Sequence, residues 1–102
     1  MSQKIFLWAL LSCASVTSWA TDPFTVELYQ SSCTICHEAG IAGAPKSFDV
    51  AAWEERLKKG KDVVLNNAIT GFNGMPPLGM CSDCTKEDLE DLIDYMSQEK
   101  AQ

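Results

Sequence analysis

The chain has 102 residues, enough for one small domain. Fourteen acidic residues outnumber eight basic ones, which gives a formal net charge of -6 at pH 7. This acidic balance argues against nucleic-acid binding, which needs a basic face, and it suits an encounter with a basic patch on a protein partner.

The first twenty residues have the pattern of a secretory signal peptide. Lys4 gives the start a positive charge, residues 5–11 are apolar, and Ser18 and Ala20 place small side chains beside a cleavage site. The apolar run is too short to span a bilayer. We expect residues 1–20 to be cleaved, so that the mature protein is one exported, soluble domain covering residues 21–102.

Cys13 offers an alternative to simple cleavage. The stretch that ends at Cys13 loosely resembles a bacterial lipobox, in which the cysteine becomes a lipid anchor. The leucine just before Ser12 fits that pattern poorly. Cleavage after Ala20 would remove Cys13 and leave four cysteines. An even number in an exported chain suggests that all of them are used.

A first helix is predicted to begin at Asp22, which can cap it, and to run to about Ser32. The residues that follow, Cys33-Thr34-Ile35-Cys36-His37, form a C-x-x-C-H run, which is typical of a c-type haem attachment site. Two thiols at this spacing can each add to one haem vinyl group, and His37 can then bind the iron. C-x-x-C alone also occurs in thioredoxin-like and zinc sites, so the inference depends on His37.

Two glycines and a proline mark a loop after this motif, at Gly40, Gly43 and Pro45. One interpretation is simple turn chemistry. The functional interpretation is that the loop wraps around the side of the haem where His37 binds. A carbonyl near Pro45 would then accept a hydrogen bond from the far nitrogen of His37 and fix its orientation.

Asp49 is predicted to cap a second helix, in which Val50, Trp53 and Leu57 recur at helical spacing and which Gly60 ends. Trp53 is interpreted as a core anchor, and the alternative is a contact between its indole N–H and a haem propionate. Intervening charged residues are predicted to face water: Glu54, Glu55, Arg56, Lys58 and Lys59.

A third helix is predicted from a cap at Asp62 to Gly71, and a stiff loop with two glycines and two prolines follows it. Met75 lies in this loop and is the candidate for the sixth iron ligand, because a methionine held in a stiff loop is not ordinary core filler. Its thioether is a soft donor that favours ferrous iron. Pro76 is expected to pack near the haem and to limit motion of the loop. Ordinary packing of Met75 is one alternative, and Met80 is a rival ligand without prolines after it.

A second C-x-x-C pair, Cys81 and Cys84, lacks a following histidine, which argues against a second haem. A zinc site would need Cys36 and its partner, but forty-four residues separate Cys36 from Cys81. A local disulfide suits an exported protein best. A catalytic dithiol stays open, because redox motifs have the same spacing.

The last helix is predicted to begin at a cap on Thr85, with Asp88 completing a capping-box-like pattern. Its apolar stripe consists of Leu89, Leu92, Ile93 and Met96. The prediction is therefore an all-α domain of about four short helices.

The motifs together resemble the cytochrome c5 group, small monohaem class I cytochromes c of proteobacteria. The stretches that carry the resemblance are Cys33 to His37, Ala42 to Lys46, Gly71 to Pro77, and Cys81 to Cys84. The last two are the specific ones, since C-x-x-C-H occurs in all c-type cytochromes. The resemblance implies a class I cytochrome c fold wrapped around one covalent haem c.

The site residues that the resemblance implies are Cys33 and Cys36 for covalent attachment and His37 and Met75 as axial ligands. It also implies a disulfide between Cys81 and Cys84. The implied function is periplasmic transfer of single electrons between respiratory partners, either membrane complexes or other cytochromes. An iron with both axial positions filled has no room for a substrate, so we expect no enzymatic activity.

Two other function classes stay open. A haem sensor or peroxidase-like protein would need Met75 to leave the iron, and a thiol redox protein would use Cys81 and Cys84. The sequence also departs from the family pattern at three positions. Thr25 replaces a usual glycine, which predicts a looser or shifted crossing of the first and last helices. Leu78 replaces a commonly basic residue, and Met80 replaces a small one.

Overall fold

The structure is a computed structural model that describes residues 12–14 and 21–100. The proposed signal peptide lies outside these ranges apart from residues 12–14, where Cys13 is exposed and has a free thiol. The expected cleavage after Ala20 also concerns residues outside the described part. In the described ranges, no helix has the length and apolar character needed to cross a bilayer.

Four helical segments make up the described domain. The first joins α1 (Pro23–Leu28), a π-helical turn (Tyr29–Cys33) and α2 (Thr34–His37). The others are α3 (Val50–Leu57), α4 (Lys61–Thr70) and α5 (Lys86–Ser97), with short 3₁₀ turns at Ile41–Gly43 and Pro77–Met80. Residues 21–100 contain no strand beyond an isolated bridge between Phe72 and Met75. The predicted all-α architecture is confirmed.

The first helix begins where the sequence predicts, because the Asp22 carboxylate accepts a hydrogen bond from the Phe24 N–H at 3.0 Å. Its predicted end at Ser32 is wrong. The chain passes through the π-helical turn and stays helical to His37. Nothing in this stretch breaks a helix before Gly40, which has a left-handed φ of 74°. The haem-attachment motif therefore lies on a helix rather than after one.

The second and third helical segments meet at Gly60. Asp49 caps α3 as predicted and accepts a hydrogen bond from the Ala52 N–H at 3.2 Å. The predicted cap at Asp62 is wrong, because Gly60 holds the N-cap position with a φ of 109° and α4 begins at Lys61. Asp62 lies in the first turn, where its negative charge still complements the helix dipole.

The last helix carries the capping box predicted from its sequence. The Asp88 N–H donates to the Thr85 hydroxyl at 3.1 Å, and the Thr85 N–H donates to the Asp88 carboxylate at 2.9 Å. Its predicted apolar stripe is buried as a whole and consists of Leu89, Leu92, Ile93 and Met96. This stripe forms one wall of the core against which the other segments pack.

An aromatic cluster of Tyr29, Phe48 and Tyr95 joins the π-helical turn, the loop before α3, and α5. The three rings contact one another edge to face, with centroids 5.1–5.9 Å apart. The Tyr29 hydroxyl donates to the Ser47 hydroxyl at 2.8 Å. Thr25 is 4% exposed on α1, which packs on α5, so the interface accommodates a side chain larger than glycine.

Candidate functional site

A cavity of about 260 Å³ opens between the helices and the two loops that the sequence singles out. It is lined by every residue proposed for cofactor or metal binding: Cys33, Cys36, His37, Pro45, Trp53, Met75 and Pro76. Leu89, Leu92, Ile93 and Met96 form part of the apolar wall. The fold therefore brings together proposed site residues that are up to forty-three positions apart in the chain.

His37 is held by the loop that follows it. Its Nδ1 lies 2.8 Å from the Pro45 carbonyl oxygen, which is the hydrogen bond predicted from the sequence. A carbonyl can only accept, so Nδ1–H donates and Nε2 keeps its lone pair for a metal. Burial lowers the pKa of His37, the bond to Pro45 opposes this, and the nearby Arg56 charge adds to the lowering. The imidazole is therefore kept in the neutral form that binds iron.

Trp53 supports the other side of the His37 ring. The two rings stack with centroids 5.6 Å apart and an interplanar angle of 25°. The Trp53 Nε1–H donates to the Lys46 carbonyl at 3.0 Å, and the side chain is 3% exposed. The core-anchor interpretation is confirmed. The indole N–H already has a partner, which disfavours the alternative contact with a propionate.

The two thiols of the attachment motif reach the cavity from consecutive helical turns. Cys33 ends the π-helical turn and Cys36 lies in α2, and both are half-buried and free. Burial raises the pKa of Cys33 to about 11, so that side chain stays protonated. Ile35 stands between them and is 58% exposed. Two free thiols at the edge of an apolar cavity suit covalent attachment of a flat apolar group.

Met75 follows a tight turn after α4. Its N–H donates to the Phe72 carbonyl at 2.8 Å, and the Phe72 N–H donates to the Met75 carbonyl at 3.0 Å. A Cβ at Gly79 would lie 2.9 Å from the Met75 methyl carbon, so glycine leaves the room that the thioether occupies. Met80 also lines the cavity, but it is 64% exposed, whereas Met75 is half-buried.

Arg56 corrects an expectation from the sequence, because it does not simply face water. It is half-buried, donates from Nη1 to the Ala52 carbonyl at 2.9 Å and from Nη2 to the Gly43 carbonyl at 3.2 Å, and lines the cavity. Lys59 lines the cavity too, and the described lining contains no carboxylate. The sequence does contain a signal for the position of Arg56 at the cavity. Arg56 follows Trp53 by three residues and therefore shares its helix face.

Cys81 and Cys84 belong to the core rather than to the cavity. They are 5% and 9% exposed, their Cα atoms lie 5.3 Å apart, and their sulfur atoms are in contact. Throughout residues 12–14 and 21–100, no group of three or more His, Cys, Asp or Glu side chains could hold a metal ion. The zinc interpretation of the two cysteine pairs therefore has no support in the described part of the chain.

Each chemical part of a haem has matching residues in the cavity lining. Cys33 and Cys36 offer thiols for two thioether bonds, and His37 offers a neutral imidazole nitrogen. Met75 offers a soft sulfur donor from a different loop. Apolar helix faces suit the macrocycle, and Arg56 supplies positive charge for its carboxylates.

Comparison with known proteins agrees with this fit. A family model described as cytochrome c oxidase, cbb3-type, subunit III matches residues 25–96. Cytochrome c5 of Ectopseudomonas mendocina is 49% identical over 67 residues, which cover 64% of this chain and 77% of that protein. Cytochrome c5 of Azotobacter vinelandii is 43% identical over 67 residues, covering 64% of this chain and 81% of that protein.

Solved structures agree as well. A monohaem ferrocytochrome c from Shewanella putrefaciens matches with a TM-score of 0.65 and 50% identity, covering 74% of this chain and 94% of that one. A chain in the electron transfer complex of nitrite reductase with cytochrome c matches with a TM-score of 0.68 and 36% identity, covering 76% and 95%. The chain described here belongs to the cytochrome c5 group of small monohaem class I cytochromes c, electron carriers with one covalently bound haem c.

Proposed function

We propose that this protein is a periplasmic carrier that exchanges single electrons with redox proteins of a respiratory chain, through a haem ligated by His37 and Met75. One observation carries the proposal: the two thiols of the attachment motif, His37 and Met75 all line the same cavity. When bound there, haem supplies a one-electron iron couple. If His37 and Met75 both held the iron, no iron position would be left for a substrate, so we expect no enzymatic activity.

His37 and Met75 are held in place by different contacts. His37 is fixed from two sides, by the Pro45 carbonyl and by the Trp53 ring, which suits a permanent ligand. Met75 relies on its closed turn and on Pro76 and the next proline, which restrict the backbone after it. These prolines limit movement of the loop between oxidation states.

Arg56 is proposed to face a haem carboxylate. Two backbone carbonyls orient its guanidinium and use two of its five N–H donors, so three remain. No carboxylate of residues 21–100 lies within 4.0 Å of Arg56, so the charge has no ion-pair partner in that part of the chain. Lys59 adds a second positive charge at the cavity.

Cys81 and Cys84 are proposed to form a disulfide that braces the segment after Met75. Leu78 and Cys81 are joined by a backbone hydrogen bond of 3.0 Å, so the pair borders the turn that follows the ligand loop. Residues 1–20 are proposed to act as a cleaved signal peptide that sends the chain to the periplasm, a location in which such a disulfide is stable.

The surface around the cavity suits brief contact with a redox partner. Large apolar side chains are exposed near its lining, namely Ile35, Ile41, Phe72 and Met80, each at least 50% exposed. The nitrite reductase complex of a related cytochrome supports a protein partner of this kind. Interfaces of this class are small and dissociate readily.

The test is the absorption spectrum of the haem-loaded mature protein in both oxidation states, with Met75→Ala and the control Met80→Ala. We expect the weak red band of sulfur bound to ferric haem, lost in Met75→Ala and kept in Met80→Ala. Carbon monoxide should bind slowly or not at all to the reduced wild type. A band that survives Met75→Ala, or rapid carbon monoxide binding by the wild type, would overturn the proposed ligation and favour a sensor or a peroxidase-like protein.

A further inference from the structure

Two loops of the cavity lining come close together at Ala42 and Gly74. A Cβ added to Gly74 would lie 3.0 Å from the Ala42 Cβ and 3.6 Å from the Ala42 carbonyl oxygen. Both residues line the cavity and both are exposed, so the contact lies at its mouth. Gly74 does not have a left-handed φ, so its backbone conformation does not require glycine. The close approach of Ala42 to Gly74 explains the glycine instead.

The loop on the Ala42 side is anchored on three sides. The Ala44 N–H donates to the Ile41 carbonyl at 3.1 Å, and Arg56 donates to the Gly43 carbonyl at 3.2 Å. Pro45 accepts the hydrogen bond from His37. These hydrogen bonds resist displacement of Ala42. Any movement of this loop would disturb the hydrogen bond between Pro45 and His37.

The turn on the Gly74 side is a single hydrogen-bonded unit. Two hydrogen bonds between Phe72 and Met75 close it, and Gly74 lies inside this closed ring directly before Met75. Gly71 packs closely against the turn, since a Cβ there would lie 3.2 Å from the Met75 carbonyl oxygen. A displacement of Gly74 away from Ala42 is therefore passed on to Met75.

We propose that Gly74 is a positioning residue for Met75, and that its contact with Ala42 sets the distance between the loop that supports His37 and the turn that carries Met75. This inference rests on the proposed ligation of the iron by Met75. A side chain at position 74 would separate the two loops and weaken the iron–sulfur bond. The sixth iron position would then open to small neutral nitrogen ligands such as imidazole.

The experiment is a double-mutant cycle on the haem-loaded ferric protein, with wild type, Gly74→Ala, Ala42→Gly and Ala42→Gly/Gly74→Ala. The measured quantity is the dissociation constant of imidazole, followed by loss of the red absorption band. We expect Gly74→Ala to bind imidazole about tenfold more tightly than wild type, because overpacking a close contact typically costs enough to shift an equilibrium by that factor. Ala42 has a φ of 55°, a conformation that glycine adopts readily, so Ala42→Gly makes room without backbone strain.

The effect of Gly74→Ala should nearly vanish when position 42 is glycine. The same effect in both backgrounds, or none in either, would overturn the inference. If Gly74→Ala yields no haem-loaded protein, recovery of the yield in the double variant supports the inference and continued absence overturns it. A wild type that binds imidazole as tightly as Met75→Ala would instead overturn the proposed ligation itself, so the two failures are distinguishable.

Discussion

The Nδ1 atom of His37 lies 2.8 Å from the carbonyl oxygen of Pro45, eight residues further along the chain. A second hydrogen bond closes the same loop, from the Ser47 N–H to the His37 carbonyl at 2.7 Å. The histidine and its acceptor therefore belong to one closed backbone unit. A hydrogen bond of this kind fixes the ring and makes the other nitrogen a stronger electron donor to a metal.

Loosening this unit with Pro45→Gly should raise the reduction potential. A weaker hydrogen bond makes His37 a poorer donor, which destabilises ferric more than ferrous iron. A net hydrogen bond is worth about 0.5–1.5 kcal/mol, so the shift should not exceed about 65 mV for one electron. Spectroelectrochemistry measures it, and Pro23→Ala at the start of α1 is the control. A lowered potential would contradict this assignment.

Removing the charge of Arg56 should lower the reduction potential, because a positive charge beside the haem disfavours the ferric state. We expect Arg56→Gln to lower it by about 20–40 mV, from an interaction of about 0.5–1 kcal/mol. The matched control is Lys58→Gln, which removes one charge from an exposed ion pair with Glu55 in the same part of the chain. Equal shifts in both variants would show that only net charge matters. Arg56→Lys should keep most of the wild-type potential.

Replacing Cys81 and Cys84 together by alanine should lower stability and leave electron transfer intact. Opening so short a loop costs about 2 kcal/mol on the chain-entropy model, and the two buried sulfur atoms add packing losses. Thermal melting followed by circular dichroism measures the first effect, and stopped-flow oxidation by a soluble acceptor measures the second. A large loss of electron-transfer rate at full stability would instead favour a thiol redox protein.

Thr85→Ala should remove one half of the capping box and destabilise α5. The expected cost is about 1 kcal/mol, or a fall in melting temperature of roughly 4–8 °C for a domain of this size. Ser82→Ala is the control, since Ser82 is exposed. The haem spectrum should not change, because Thr85 lies outside the cavity lining. A spectral change would mean that the cap also positions the ligand loop.

Local chemistry was predictable from the sequence. Asp22, Asp49 and Thr85 cap their helices as expected, because a cap depends on residues within three positions of it. The position of Asp62 relative to its helix could not be predicted from such local chemistry. An acidic residue is favourable at the N-cap and also in the first turn, so its presence does not decide between the two positions.

Contacts that depend on distant parts of the chain were not predictable. Helical spacing alone could not reveal that Arg56 reaches the Gly43 carbonyl, thirteen residues earlier. The π-helical turn before Cys36 was missed because the sequence contains no signal for it. The Pro45 acceptor was predicted only because a ligating histidine needs a partner for its second nitrogen. That contact follows from the chemistry of a metal-ligating histidine, whereas the helices follow from the spacing of apolar and capping residues.

The hydrogen bond from the Phe48 N–H to the Met96 carbonyl, at 2.7 Å, has a consequence for the order of assembly. Phe48 has a left-handed φ of 68°, an uncommon conformation for an aromatic residue. Its acceptor lies forty-eight residues later in the sequence. Until α5 is in place, that N–H lacks its acceptor. The segment between His37 and α3 therefore takes its final shape only after a distant helix has docked, although both attachment cysteines precede this segment in the chain.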